Sequence, residues 1–383
     1  MSDTSQAPIG PSVGPSVGTA AEVGAPVDIE PIGQEFRSAI TDVLDEFIGR
    51  KQVELSSIGD DLRPLFTTAR SYLESGKRLR PAFAYWGWRA AGGSAAKARG
   101  IYVAGAAIEL VHASALVHDD LMDDSATRRG RPTAHRQFSD VRPVRNVGHQ
   151  TAQFGQMAAI LLGDMLLAWS DELLGQTGFK PKALARGRVY FDRLRTEVVA
   201  GQYLDVLAQT SGTTSVSDAM RVIRYKSAKY TVERPLQFGA ALAKGSKPLL
   251  RALSSYGLPL GEAFQLRDDV LGVFGDPRET GKPAGDDIRD GKRTLLIARA
   301  YDRADKAQRK VLDANVGQPR VDARGIEAVQ SVLRDTGAVA AVETVIGELT
   351  SAALAALAAA PIDDPEACRA LEVLTDRATN RLV

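Results

Sequence analysis

The chain has 383 residues, 44% hydrophobic and 25% charged, which are ordinary proportions for a globular protein. Its 48 basic and 47 acidic residues leave a net charge of +1, which argues against general nucleic-acid binding. The one cysteine, Cys368, excludes an internal disulfide framework and favours a reducing, cytoplasmic location.

The N-terminal segment, residues 1–30, contains the near-repeat GPSVGPSVG and is rich in Gly, Pro, Ser and Val. Such a segment buries too little apolar surface to offset the entropy lost on ordering, so we predict a disordered tail. It lacks a basic stretch followed by an apolar one and so does not match a secretory signal.

From Pro31 onward, apolar residues recur at three- and four-residue spacing, which predicts helices almost throughout. Several segments, such as GIYVAGAAIELVHASALVHDD, are apolar around most of the helix, as is typical of helices surrounded by others. We therefore predict one all-α domain, a large helical bundle spanning residues 31–383. The alternative is a separate C-terminal helical bundle after about residue 310. Because no run of about 18 uncharged apolar residues occurs, we expect no membrane-spanning helix.

A cluster of aspartates follows the apolar helix that ends near Val117. Asp119 and Asp123 share one helix face, with Asp120 beside them. Carboxylates that enter an apolar bundle are costly unless they are paired or bind a metal. Mg²⁺ prefers oxygen ligands and typically combines one or two carboxylates with substrate phosphates. The pattern therefore predicts a magnesium site for a phosphorylated substrate.

A second pair, Asp268 and Asp269, lies in FQLRDDVLGVFGD, another apolar helical segment about 150 residues later. Two apolar helices that each carry adjacent aspartates are hard to explain by packing. If the two pairs face each other across a bundle, they form a cradle for several metal ions and one polyphosphate.

Basic residues alternate with the aspartates along the chain. Arginine binds phosphate as a planar fork and lysine as a point charge. His112 lies seven residues before Asp119 on a similar helix face and is a plausible phosphate donor. The pattern suggests two anionic substrates, one held through metals and one held directly. The basic candidates are Lys77, Arg78, Arg80, Arg128, Arg129, Lys226, Lys282 and Lys292.

In combination and order, these motifs resemble the trans-prenyl diphosphate synthases, also called polyprenyl synthetases. The motifs are GKRLRP, DDLMDDSATRRGRPTAH, LLGDMLLA, GQYLD, YKSAKYT and FQLRDD, and the resemblance covers roughly residues 35 to 300. It implies an all-α fold of the isoprenoid synthase type with a central active-site cavity. It also implies a homodimer that joins isopentenyl diphosphate to an allylic diphosphate with the help of about three Mg²⁺ ions.

The resemblance also implies roles for single residues. The metal-binding residues would be Asp119, Asp120, Asp123, Asp268 and Asp269. The residues in contact with the allylic diphosphate would be Arg128, Lys226, Lys282 and Lys292. The isopentenyl diphosphate site would comprise Lys77, Arg80, His112 and Arg129. The side chains along the path of the carbocation would be Gln202, Ser227 and Gln265.

One position departs from the family pattern. The second motif usually reads DDxxD, but here it reads DDVLG, with Gly272 in the last place. Loss of an outer carboxylate would weaken metal affinity, and Asp276 is a candidate substitute. The departure keeps open a weakly active or partner-dependent regulatory subunit.

Product length depends in this family on bulk just before the first aspartates. Here Ser114 and Ala115 are small, and Val111 and Ile108 on the next turn are not aromatic. We therefore predict a deep pocket and geranylgeranyl diphosphate as product, with a longer polyprenyl product next and farnesyl diphosphate third.

Three other functions compete with this hypothesis. A class I terpene cyclase would usually carry an N-x-x-x-S/T-x-x-x-E second motif in place of DDVLG. An HD-type phosphohydrolase, suggested by His118 and Asp119, needs further histidines dispersed along the chain, whereas the four here fall in one window. A regulatory subunit or helical scaffold leaves the basic residues unexplained.

Overall fold

Helices account for almost all of the regular structure. The computed structural model describes residues 1–2, 29–74, 76–141, 148–211, 215–275, 285–318 and 320–380, with only the backbone at 148–150 and 211. Numbered in chain order, the α-helices are α1 Gln34–Leu55, α2 Arg63–Leu73, α3 Leu79–Ala90, α4 Arg99–Met122, α5 Ala134–Val141, α6 Gly148–Gly175, α7 Pro181–Ser211, α8 Val216–Val222, α9 Arg234–Leu242, α10 Lys247–Phe274, α11 Asp286–Arg289, α12 Leu295–Arg303, α13 Lys306–Asn315, α14 Ala323–Asp335, α15 Ala338–Ala358 and α16 Pro365–Thr379. The predicted all-α fold is confirmed.

Three short helical segments and one hairpin complete the described structure. A π-helix, Ile223–Glu233, joins α8 to α9, and 3₁₀ turns occupy Asp60–Leu62 and Ala95–Lys97. Strands β1, Thr127–Arg128, and β2, Arg131–Pro132, pair antiparallel directly after the first aspartates.

Local sequence explains where the helices begin. Ser246 accepts a hydrogen bond from the backbone N–H of Leu249 at the start of α10, and Ser215 does the same for Asp218 at the start of α8. Asp305 begins α13 with a capping box that includes Gln308. Each cap satisfies backbone donors that the first turn leaves without a helical partner.

Two long apolar helices position the aspartates. Helix α4 packs against α1, α3 and α6, and helix α10 packs against the π-helix and α15. Ile108 and Leu110 on α4, and Leu260 and Leu266 on α10, are fully buried. Because both helices end in polar residues at the same side of the core, their aspartates face a shared space.

The N-terminal residues that the structure describes are anchored to the bundle. Ile29 packs against the core, and Arg377 pairs with Glu30 at 2.5 Å. The Trp86 indole N–H donates to the carbonyl of Pro31 at 3.0 Å. Anchoring therefore begins slightly earlier than the predicted boundary at residue 30. The rest of the predicted tail, residues 3–28, lies outside the described residues.

The C-terminal helices pack on the same central elements as the rest of the chain. Helix α15 lies along α10, and α16 contacts α3, α10 and α15. The Tyr256 hydroxyl donates to the carbonyl of Leu371 at 2.8 Å, which joins α10 to α16. These contacts favour our interpretation of a single domain over a separate C-terminal bundle.

Two helices of the described part of the chain are long and apolar enough to span a membrane. In α4, 72% of the most apolar window is buried inside the protein, whereas in α15 the share is 22%. Burial explains α4 as a core helix. The apolar character of α15 comes largely from alanine, and the expected absence of a membrane span stays a prediction there.

Candidate active site

A cavity of about 810 Å³ opens between the ends of α4 and α10. Carboxylates from both predicted clusters line it, together with five cations from four separate parts of the sequence, one of which is Arg293. The charged lining residues used below are Asp119, Asp205, Asp268, Asp269, Asp287, Lys77, Arg128, Lys226 and Lys292. The fold thus joins the two aspartate clusters at one site.

Asp119 lies at the centre of a polar network. It accepts hydrogen bonds from Lys226 Nζ at 3.0 Å and Gln202 Nε2 at 2.9 Å. Lys226 also pairs with the buried Asp205 at 2.6 Å. Burial opposes ionisation of Asp119, but the charges of Lys226 and Lys292 outweigh it and hold the Asp119 pKa below its ordinary value.

A close backbone approach brings the groups of this network together. A Cβ atom on Gly201 of α7 would lie 2.3 Å from the backbone N of Lys226, so only glycine fits. Helix α7 therefore touches the π-helix, and Gln202 and Asp205 reach the lysine. The π-helix carries Lys226 and Ser227 into the cavity wall, and π-helical geometry frequently occurs at functional sites.

Asp120 is held by protein donors. It is fully buried and accepts hydrogen bonds from Arg128 Nε at 2.7 Å and from the Tyr72 hydroxyl at 2.7 Å. Both of its oxygens therefore have protein donors in this structure. The role of Asp120 in binding Mg²⁺ stays a prediction.

Asp123 lies at the C-terminal cap of α4, one turn after Asp119. Burial and the negative charge of Asp119 raise the pKa of Asp123 to about 6. A divalent cation between the two carboxylates would remove this repulsion. Asp119 and Asp123, on one helix face, are thus the pair that fits a metal at this end of the cavity.

The second cluster also contains a buried carboxylate. Asp269 is 7% exposed and accepts a hydrogen bond from Gln265 Nε2 at 2.8 Å. Burial raises the pKa of Asp269 to about 8, and the neighbouring Asp287 and Asp268 add to the effect. Gln265 therefore orients Asp269 much as Gln202 orients Asp119.

Lys292 lies between the two carboxylate clusters. It pairs with Asp287 at 3.0 Å, and the charges of Asp287, Asp123 and Asp119 raise its pKa despite burial. The lysine is therefore positively charged and stands within the field of both clusters. Lys282, predicted for the same role, and Asp276 lie outside the described residues.

A group of cations lies beside the cavity, near Lys77. The Arg129 guanidinium approaches the Gly76 backbone, 3.4 Å from the position of a Cβ there. Burial, with the nearby charges of Arg128, Arg78 and Arg80, lowers the pKa of Arg129. Such a concentration of neighbouring cations is suited to an anion.

The arginines of the GKRLRP motif differ in what they contact. Arg78 is buried in a left-handed conformation, pairs with Glu109 at 2.7 Å and donates to the Leu73 carbonyl. It fixes the loop that presents Lys77. Arg80 lies over the Tyr230 ring at 4.4 Å and donates to Thr231 at 3.1 Å.

His112 lies next to this cationic group. Its Nδ1 is 3.2 Å from the Tyr230 hydroxyl. Burial, with the charges of Arg80 and Arg129, holds the pKa of His112 well below its ordinary value. His112 is therefore neutral at pH 7 and offers a phosphate one hydrogen bond without a charge.

The carboxylates fit Mg²⁺ as partial ligand sets. Within the described ranges, no three His, Cys, Asp or Glu side chains converge on one metal position. Mg²⁺ typically keeps waters and substrate phosphates beside one or two carboxylates, which agrees with this arrangement. The oxygen-only donors at Asp119, Asp123, Asp268 and Asp269 suit the ion.

Sequence reasoning missed several functional neighbours. Tyr72, Asp205 and Asp287 contact the predicted residues but stand far from them in the chain. Asp205 belongs to the quoted GQYLD motif, which was a signal that could have been used. Tyr72 gave none. The predicted pocket floor is not part of the cavity lining, which includes Leu116 but none of Ile108, Val111, Ser114 or Ala115.

Comparison with known proteins gives a consistent result. Residues 63–333 match the family described as Polyprenyl synthetase, so the similarity extends beyond residue 300. A geranylfarnesyl diphosphate synthase from Aeropyrum pernix is 31% identical over 80% of this chain and 91% of its own. A geranylgeranyl diphosphate synthase from Mycobacterium tuberculosis is 33% identical over 74% of this chain and 75% of its own.

Solved structures agree with the sequence matches. The crystal structure of geranylgeranyl pyrophosphate synthase from Corynebacterium glutamicum, complexed with isoprenyl diphosphate and magnesium, superposes with a TM-score of 0.87. The two chains are 40% identical, and the match covers 91% of this chain and 99% of that one. A decaprenyl diphosphate synthase from Rhodobacter capsulatus is 25% identical, with a TM-score of 0.73 and coverage of 91% and 97%.

Proposed function

The chain belongs to the polyprenyl synthetase family and is a trans-prenyl diphosphate synthase, and we propose that it makes geranylgeranyl diphosphate with the help of Mg²⁺. One observation carries the proposal. Carboxylates from two helix ends and five cations line a single cavity of about 810 Å³. Such a cavity fits a metal-bound diphosphate.

The allylic diphosphate binds between the two aspartate clusters. Asp119 and Asp123 hold metal ions on one side, and Asp268 and Asp269 hold them on the other. Arg128, Lys226 and Lys292 approach the same diphosphate from the cavity wall. Mg²⁺ supplies charge neutralisation as pyrophosphate leaves. Asp205 and Gln202 position Lys226 and Asp119 respectively.

Isopentenyl diphosphate binds in the cationic group without metals. Lys77, Arg80 and Arg129 neutralise its diphosphate, and His112 donates one hydrogen bond. Tyr230 and Thr231 orient His112 and Arg80. A second diphosphate there lowers the repulsion among the arginines, so binding and electrostatic relief occur together.

The reaction then proceeds between the two diphosphates. The allylic C–O bond breaks, and pyrophosphate leaves with the electron pair. The isopentenyl double bond attacks the allylic carbon, a C–C bond forms, and a proton passes to the departing pyrophosphate. Ser227 and Gln265, which line the cavity, stand along the path of the positive charge. Leu116, Val222, Ile223 and Leu271 share the lining, and apolar side chains near the reacting carbons help to keep away water that would trap the cation.

The proposed twenty-carbon product rests on the names of the relatives and on the small residues before Asp119, which lie outside the cavity lining of this structure. Ala115 is partly buried and Ser114 is 3% exposed. The test is an Ala115→Phe variant assayed for product length. We expect a shift from twenty to fifteen carbons, and an unchanged length would refute the pocket-floor argument while leaving the enzyme intact.

We also propose a homodimer. Helix α6 exposes a stripe of large apolar side chains at three- and four-residue spacing, and α7 exposes another. Contiguous exposed apolar surface marks association sites. The stripes comprise Phe154, Met157, Ile160 and Leu161 on α6, and Val199, Tyr203 and Leu207 on α7. Light scattering should give twice the monomer mass, and a monomer mass at micromolar concentration would contradict the proposal. The cytoplasmic location stays a prediction.

The deciding experiment is a product assay. The protein is incubated with isopentenyl diphosphate and each allylic diphosphate of five, ten and fifteen carbons, with and without Mg²⁺. We expect a magnesium-dependent twenty-carbon product, read by mass after dephosphorylation. A fifteen-carbon limit would correct the product alone. Absence of condensation with every primer would favour the regulatory subunit that Gly272 keeps open.

A further inference from the structure

The second motif lacks its last aspartate at position 272. A side chain from outside the motif fills the space beside Gly272. A Cβ atom on Gly272 would lie 1.9 Å from Asp287 Oδ2 and 2.7 Å from Asp287 Cγ. Such distances are far inside van der Waals contact, so no side chain can start at position 272 while Asp287 keeps its place. The carboxylate of Asp287 therefore stands where a residue-272 side chain would begin.

This place belongs to the metal-binding face of α10. Asp268 and Gly272 are four residues apart, so they share one face of the helix. Both line the cavity, and Asp287 lines it beside them. A carboxylate from residue 287 thus enters on the face where the family motif would carry one from residue 272.

Asp287 is held firmly in this position. It lies on α11, whose Ile288 is fully buried and whose backbone accepts a hydrogen bond from Gly317 at 2.8 Å. Asp287 Oδ1 pairs with Lys292 Nζ at 3.0 Å, while Oδ2 is the atom over Gly272. The side chain is 13% exposed. One oxygen is thus fixed by the lysine and the other is presented beside Asp268.

We propose that Asp287 supplies the third carboxylate of the second aspartate group, in the space that Gly272 leaves open. The inference rests on the proposed function. Asp268 and Asp269 of α10 and Asp287 of α11 then each contribute to partial ligand sets that substrate phosphates and water complete, and Gly272 is required because it admits Asp287. In DDVLG, the third carboxylate is therefore supplied by Asp287, and the glycine at position 272 causes no loss of metal affinity.

The experiment exchanges the carboxylate between the two positions. The variants are Asp287→Ala, Asp287→Asn, Gly272→Asp and the double variant Gly272→Asp/Asp287→Ala, with the exposed Asp302→Ala as control. Bound Mn²⁺ is counted by electron paramagnetic resonance in the presence of inorganic pyrophosphate. The Mg²⁺ concentration for half-maximal product formation is measured in parallel.

We expect Asp287→Ala and Asp287→Asn to weaken Mn²⁺ binding about 10-fold or more, the scale for losing a group that supports a metal. Gly272→Asp should also weaken it, because two side chains compete for one space. The double variant should recover to within about 3-fold of the starting protein, since one carboxylate again fills that space. Asp302→Ala should change nothing.

Several results would overturn the inference. Mn²⁺ binding by Asp287→Ala equal to that of the starting protein is one, and a double variant no better than its two parents is another. Normal binding by Asp287→Asn with weak binding by Asp287→Ala would mean that residue 287 only supports Lys292. If a variant fails to fold, Gly272→Ala replaces it, because a single methyl group there already displaces Asp287.

The two proposals fail in different ways. If the starting protein forms no product from any primer, the proposed function is wrong, whereas Mn²⁺ binding still judges the role of Asp287. If product forms and Asp287→Ala keeps its metal affinity, only the role of Asp287 is wrong.

Discussion

The two aspartate clusters meet at one cavity but differ in how the protein compensates their charge. At the end of α4, Asp120 is matched by Arg128 and Tyr72, and Asp119 by Lys226. At the end of α10, Asp269 is buried against Gln265, a neutral amide, and its pKa is raised to about 8. The first cluster is prepared by protein cations, while the second depends more on what binds there.

The largest expected effect comes from removing the carboxylate at the centre of the first cluster. Asp119→Ala should lower the turnover number by about 10³-fold, because metal-based charge stabilisation is worth several kcal/mol. Steady-state kinetics at saturating Mg²⁺ measures it. The matched control is the exposed Asp140→Ala on α5, which should keep normal activity. Turnover within 10-fold of normal would contradict the central role of Asp119.

Removing the cation that prepares the first cluster should have the next largest effect. Lys226→Met leaves Asp119 and Asp205 facing each other without the ammonium between them, so the pKa of Asp119 should rise. We expect kcat/KM for the allylic substrate to fall about 10²-fold, the scale for losing one preorganised charge. Lys182→Met, exposed at the start of α7, serves as control. An unchanged kcat/KM would mean that Lys226 is only structural.

A third variant tests how much the hydrogen bond from Tyr72 to the buried Asp120 stabilises the fold. Tyr72→Phe removes one of the donors to the buried Asp120 and should cost about 1–3 kcal/mol in the free energy of unfolding. Denaturant unfolding measures the loss, with the partly exposed Tyr190→Phe as control. If the two variants unfold at the same denaturant concentration, Arg128 alone is sufficient for Asp120.

The last prediction is a pH dependence of stability that comes from the second cluster. The folded pKa of Asp269 is about 8 and the ordinary value is 3.8, so the folded state binds the proton more tightly than the unfolded state. In metal-free protein, this carboxyl therefore destabilises the folded state increasingly as pH rises from about 4 to 8. Melting temperatures at pH 5 and 8 in a chelator measure the slope. Asp269→Asn should flatten it, and an unchanged slope would place the effect elsewhere.

Some parts of the site could be predicted from sequence because they depend on helix periodicity. The four-residue spacing placed Asp119 and Asp123 on one face, and the apolar run before them predicted a buried helix. The same spacing relates Asp268 to Gly272. These statements need only the helical repeat and the cost of burying charge.

Other parts depended on which helices meet. Asp120 is a metal ligand by the family resemblance, and that stays a prediction. Its hydrogen bond with Tyr72, which lies on α2, 48 residues earlier, could not be read from the sequence. Likewise, nothing near Gly272 in the sequence indicated that Asp287 would fill its space.

The sequence by itself therefore determined the all-α class and the helix faces that carry charge, which follow from local spacing and composition, while the family was indicated by the resemblance of its motifs. The tertiary structure alone decided which carboxylates are already paired, which remain for a metal, and how Asp287 reaches the face of Asp268. The physical reason is that pairing and burial depend on distances between helices, and local periodicity does not contain those distances.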